Sequence, residues 1–200
     1  MNSNKKTGFV LAECLVAISS LATAAIVAGF ITTNALSTTN LSKDYLIAQN
    51  LVTEGVEAVK ALRNTNWLLY PNKKECWMTM VANCSSPKPA DNSNYIFVLG
   101  GGVSQLLNSV INNSLNLDSS SNLNKTPYRL YIENSRYVGY PASPPGATAS
   151  KYFRSIKFIS IADTDADAVT DAATIEVKIQ WKDGAKTREI SKEVILYNYL

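Results

Sequence analysis

The 200-residue sequence contains no histidine. That absence removes the commonest general base, the usual partner of a serine or cysteine nucleophile, and the commonest zinc ligand. Cysteine is scarce, three residues in all, and their spacing is wrong for a zinc knuckle, with no second pair to complete one. Charge of one sign is lacking too. Nineteen basic residues face sixteen acidic ones, and without the two leader lysines Lys5 and Lys6 the balance is seventeen against sixteen. A chain so balanced is not a nucleic-acid-coating protein. Gly100-Gly101-Gly102 is not followed by a Gly-Lys-Ser/Thr ending and makes no Gly-x-Gly-x-x-Gly repeat, so it reads as turn residues rather than a phosphate loop. Neither an enzyme nor a resident cofactor is expected.

What the sequence does have is a long apolar run near its start. Between Lys6 and Lys43 the only ionisable side chains are Glu13 and the Cys14 thiol. The stretch 9–31 exceeds the ~20 residues that a helix needs to cross a bilayer. A secretory signal peptide has a shorter apolar region with its cleavage site after it; here the plausible cut precedes the apolar part, so the helix is expected to stay with the chain. Lys5 and Lys6 place the leader in the cytoplasm by the positive-inside rule and send the remainder across. Glu13 is the awkward residue. A carboxylate costs on the order of 2.5–3.5 kcal/mol at mid-membrane and therefore marks a function or a charge partner. Cleavage after Gly8 would supply that partner, a new amino terminus on Phe9 one helical turn from Glu13, and a free helix N-terminus favours a carboxylate as well.

These residues resemble a known family. Gly8 followed by Phe9, with Glu13 as the fifth residue after the break and Leu15-Val16-Ala17-Ile18 beyond it, is similar to the N-terminal signature of type IV pilins and type II secretion pseudopilins. The resemblance implies that a prepilin peptidase cuts after Gly8 and methylates Phe9. It implies that Glu13 neutralises the terminus of a neighbouring subunit while the helices bundle into a filament. The implied partners are the peptidase, other pilin or pseudopilin subunits, and an inner-membrane assembly platform. Ala12 and Cys14 depart from the usual Ile and Val, and no proline interrupts the segment up to Tyr70, so any kink must arise near Gly29. A second reading is a monomeric membrane-anchored extracytoplasmic protein whose head binds a ligand or an adhesive target.

The helix is expected to continue past the bilayer. Tyr45, Ala48, Val52, Gly55, Val59 and Leu62 recur at three- and four-residue steps on one stripe, the pattern of an amphipathic helix laid on a core. Asn64-Thr65-Asn66 with Pro71 is expected to end it. The domain plan is then a leader at 1–8, a transmembrane helix half at 9–33, an amphipathic helix half at 34–66, and a globular head at 67–200. Within the head, 95–99 reads as a strand, 103–117 as a short helix, and the Ser/Asn-rich 114–124 as a surface loop. A strand pair is expected at 128–133 and 136–140, with a rigid exposed loop at 141–146 and longer strands at 152–161, 174–182 and 187–197. Ile175, Val177, Ile179 and Trp181 alternate with polar neighbours, giving one buried and one wet face, and Asp183-Gly184 closes a hairpin. The fold class is α+β: a long N-terminal helix on a C-terminal antiparallel sheet, as in pilins.

Three further clusters carry chemistry. Cys76 and Cys84 flank a short loop and, in an exported domain, most simply form a disulfide. Cys14, inside the apolar run, reads as a small hydrophobe. Asp163, Asp165, Asp167 and Asp171 alternate in a loop that suits calcium, and some pseudopilins hold such an ion in the head. The spacing lacks the EF-hand glycine and glutamate, so a solvated loop is the preferred reading. Arg154, Lys157, Lys178, Lys182, Lys186, Arg188 and Lys192 would offer DNA a phosphate-binding face. Glu176, Glu189 and Glu193 are interleaved with them, so a solvated strand face is preferred and no nucleic-acid partner is expected.

Overall fold

A computed structural model describes residues 4–80, 83–85, 87–100, 103–108, 114–120, 125–139, 145–163 and 169–198. Among the described residues one α-helix, α1 (Asn4–Leu69), is followed by seven strands: β1 (Ser93–Gly100), β2 (Val103–Asn108), β3 (Arg129–Glu133), β4 (Arg136–Gly139), β5 (Thr148–Ala162), β6 (Ala172–Asp183) and β7 (Lys186–Tyr197). The architecture is α+β, with the long helix packed on an antiparallel sheet. The chain divides into two compact units, Met1–Asp44 and Tyr45–Leu200, and α1 contributes to both.

In the second unit, β5 is the strand on which the sheet is built. Along one edge it pairs with β6 over most of its length. Along the other it pairs with β1 through 156–158 and with β3 through 148–153, so both small hairpins, β1–β2 and β3–β4, hang from the same edge. β6 and β7 form a long hairpin whose register closes at Asp183 and Lys186. Gly184 sits at the first central position of that turn with φ +59°, a left-handed conformation that costs glycine nothing and fits the right-handed twist of the strands.

The helix face expected from periodicity forms the core, and it is wider than the six residues named. Ala48, Leu51, Val52, Val56, Val59 and Leu62 are buried against Tyr95, Ile156, Phe158, Ile175, Val177, Ile179 and Trp181. Full burial of each large aliphatic chain contributes roughly 1.5–3 kcal/mol. Tyr45 caps the stripe by meeting Trp181 edge-on, ring centroids 5.0 Å apart. The opposite sheet face holds a smaller cluster of Ile96, Val98, Leu115, Leu117, Tyr128 and Phe153.

Three expectations need correction. Residues 103–108 are a strand rather than the start of a helix, because β1 offers a full antiparallel register from Tyr95↔Asn108 to Gly100↔Val103; a short apolar run fits either period, and pairing decides it. Residues 109–113 lie outside the described part, and 114–117 are not helical. The loop 114–120 is not purely a surface feature, since Leu115 and Leu117 cover the second cluster. Lastly, Asn64-Thr65-Asn66 does not stop the helix, which runs to Leu69 with Tyr70 N–H still donating to Asn66 O at 2.9 Å. Pro71 ends it, by disfavouring helical backbone at the residue before it. Asn66 is instead a buried tie, its amide donating to Trp77 O at 3.3 Å and Thr79 Oγ1 at 3.1 Å.

Gly55 marks the closest approach of helix and sheet. A Cβ there would lie 2.7 Å from Val177 Cγ1 and 3.2 Å from Arg154 Cδ. Alanine at an ordinary helical glycine gains up to ~1 kcal/mol, but forcing a methyl into this contact costs about 1–3 kcal/mol. Gly55→Ala is therefore expected to lower unfolding stability in denaturant titrations of the detergent-solubilised chain. Combining it with Val177→Ala should recover part of that loss, a positive coupling in a double-mutant cycle.

Candidate functional site

In the first unit, Phe9 and Glu13 are separated by four residues of continuous helix, so both lie on one side of α1. With Ala12, Val16 and Ala17 they line a shallow concavity. Every large apolar side chain around them faces outward. Phe9 is 74 % exposed, and Leu11, Val16, Leu21, Ile26 and Phe30 are each more than half exposed. A helical surface of this kind is stable only where water is excluded, in lipid or against other apolar helices. The segment is long and apolar enough to cross a membrane. Glu13 is its one carboxylate, and the Cys14 thiol beside it is free and exposed. The backbone through Gly8 into Phe9 is helical.

In the second unit, Cys76 and Cys84 are joined by a disulfide. The carboxylate of Glu75 lies close to the two sulfurs, but both sulfurs are committed to the bond, so this trio is no metal site. The loop is anchored in three directions. Asn66 ties it to the helix end, Trp77 Nε1 donates to Thr170 O at 2.7 Å, and Asn198 Nδ2 donates to Lys74 O at 3.2 Å.

The aspartate loop is described only at its two ends. Asp163 is exposed, and Asp171 N–H donates to Ala162 O at 2.8 Å, closing the β5–β6 connection. Asp165 and Asp167 lie outside the described residues. The basic residues do not form one face. Lys178 is 3.4 Å from Glu176, Arg188 is 3.3 Å from Asp183, and Lys182 pairs with Asp118.

Arg154 is the correction within that set. It is only 3 % exposed, under the helix, with Nη1 3.2 Å from Glu54 Oε1. Burial pulls the guanidinium below its ordinary value and the Glu54 carboxylate opposes that pull. The signal was in the alternation: Tyr152, Ile156 and Phe158 point to the helix, and Arg154 shares their parity. Replacing either partner alone would leave a charge without its counterion, and for the arginine a buried one.

Comparison with protein-family models, with curated proteins and with solved structures returned no match.

Two outcomes follow. Cys84→Ser opens a loop whose closure contributes about 2.5 kcal/mol in the chain-entropy model, so the urea midpoint of the head should fall measurably under non-reducing conditions. The Asp118 carboxyl accepts hydrogen bonds from Lys182 and Thr187, which hold its pKa below the usual 3.8. A depressed carboxyl contributes stability above its unfolded value and loses it as pH falls through the lower folded value. The 114–120 loop should therefore loosen below pH 3.8, seen as quicker proteolysis or amide exchange there, and Asp118→Asn should abolish that pH dependence.

Proposed function

We propose that the chain is a prepilin-type filament subunit, of the minor-pilin or pseudopilin kind. On this reading a prepilin peptidase removes residues 1–8 and methylates Phe9. The mature subunit waits in the inner membrane with its head outside, then an assembly platform adds it to a filament through the N-terminal helix. The observation that carries the reading is the chemistry of one surface: a bare apolar helix with a single carboxylate one turn from the residue that would become the amino terminus.

The mechanism is charge neutralisation in an apolar bundle. A protonated amine on Phe9 of one subunit and Glu13 of its neighbour are each costly alone in a medium of low dielectric, and together they cancel. Sequence-independent apolar packing would let helices slide, whereas one charge pair per interface fixes their axial register. In the head, the helix is clamped to the sheet by the Gly55 contact and the Arg154–Glu54 pair.

Mass spectrometry of the membrane-extracted protein tests the first step. The expected chain begins at N-methylated Phe9; an intact leader sinks the proposal and favours an anchored monomer. Glu13→Ala tests the second. Processing and head folding should be unchanged, while incorporation into a sheared filament fraction falls about a hundredfold, the equivalent of ~3 kcal/mol for an unpaired charge.

A further inference from the structure

The last strand of the sheet leaves a long edge open. β7 pairs with β6 along one side over its whole length, and among the described residues no strand pairs with its other side. It contains no proline, and its ladder with β6 runs without a bulge. A row of backbone N–H and C=O groups of this length is a template for another strand, and β7 of a second copy is the candidate always at hand.

Geometry limits how two such edges can join. A two-fold axis that brings them together stands normal to the sheet and keeps each face on its own side. Residues that oppose one another then share parity, and every register is centred on one residue facing its own copy. Four registers pair nine or more of the twelve residues, those centred on Ile190, Ser191, Lys192 and Glu193. Centring on Ile190 sets Arg188 against Lys192, twice. Centring on Ser191 sets Glu189 against Glu193, twice. The other two set Lys192 or Glu193 against itself. Like charges directly opposite destabilise a strand pair, so no long register is without repulsion.

Two of these charges do not favour the hairpin that carries them. Lys192 shares the parity of Ile190, Val194 and Leu196, which pack on the core, and lies across from buried Val177, yet it is exposed. A charge at a core-facing position of an edge strand is a block to pairing. Glu193 lies directly across from Glu176, a like-charge pair within the hairpin itself.

We infer that β7 is closed to its own copy by charge: the placement of Arg188, Glu189, Lys192 and Glu193 keeps the heads of neighbouring chains from zipping together edge to edge. The inference stands apart from the filament reading, since an anchored monomer carries the same edge. In a filament it would leave the N-terminal helices, rather than these edges, to join the subunits.

Crosslinking at the two-fold position tests it, on the full chain in detergent micelles. Cys14→Ser removes the other free thiol, and Ser191→Cys places one on the axis of the Ser191-centred register. In this parent a short bifunctional thiol reagent is expected to join few chains. Adding Glu193→Lys turns both repulsive pairs of that register into attractive ones and should raise crosslinking about 10-fold or more. Glu189→Lys together with Glu193→Lys restores repulsion and should return the yield to the parent's. A concentration of about 1 M salt screens exposed charges, so there the parent and the Glu193→Lys chain should converge. Near-ultraviolet circular dichroism checks that each head is folded. Equal yields from the parent and the Glu193→Lys chain at low salt, high or low, overturn the inference. A rise with Glu193→Lys that survives both the second reversal and the salt overturns it too.

Discussion

Everything outside the apolar segment depends on one contact, the face of α1 from Ala48 to Leu62 closing over the inner side of β5 and β6. Neither partner is stable alone. The helix face is too apolar for water, and a sheet with one bare face would aggregate through it. Gly55 lets the two surfaces approach, and the buried Arg154 guanidinium, paired with the half-exposed Glu54, gives the approach a polar fixed point. A purely apolar contact tolerates sliding by a turn; a buried guanidinium does not, because sliding would leave it without its carboxylate.

The same helix then does two unlike jobs, and the difference is written in what surrounds each part. From Tyr45 it is the lid of a water-soluble core. Before Asp44 it offers apolar side chains to whatever excludes water. Its single carboxylate stands out because no other charged side chain lies between Lys6 and Lys43, and a lone charge in an apolar medium is costly without a partner.

Much of the fold was legible because periodicity is a physical signal. The alternation from Ile175 to Trp181 fixed which face of β6 is buried, and the three- and four-residue steps from Ala48 to Leu62 fixed the helix face. The cysteine pair was legible from its short separation. What could not be read is what depends on distant partners. β2 is a strand only because β1 lies beside it, and Asn66 looked like a stop signal because its ties to Trp77 and Thr79 are made in three dimensions. Arg154 was misplaced on a wet face because a basic residue is usually exposed; its parity with Tyr152 and Ile156 was the better guide. At the candidate site, Gly8, Phe9 and Glu13 are singled out by order in the chain, and the structure adds how openly Phe9 and the apolar side chains beyond it are presented.

The corner around the disulfide has a consequence for how the head comes to be folded. It joins the end of α1, the loop at 74–79, Thr170 and Asn198, through bonds that span 11, 93 and 124 residues of chain. The strands that cover much of the helix, β5 to β7, come after all the other described elements in the chain. Contacts of long sequence separation form slowly, and those to Thr170 and Asn198 wait until those residues are made. The apolar face of the head helix therefore stays largely uncovered until β5 to β7 are available. The folding of this unit is timed by those three strands, and its most aggregation-prone moment is the one just before they join.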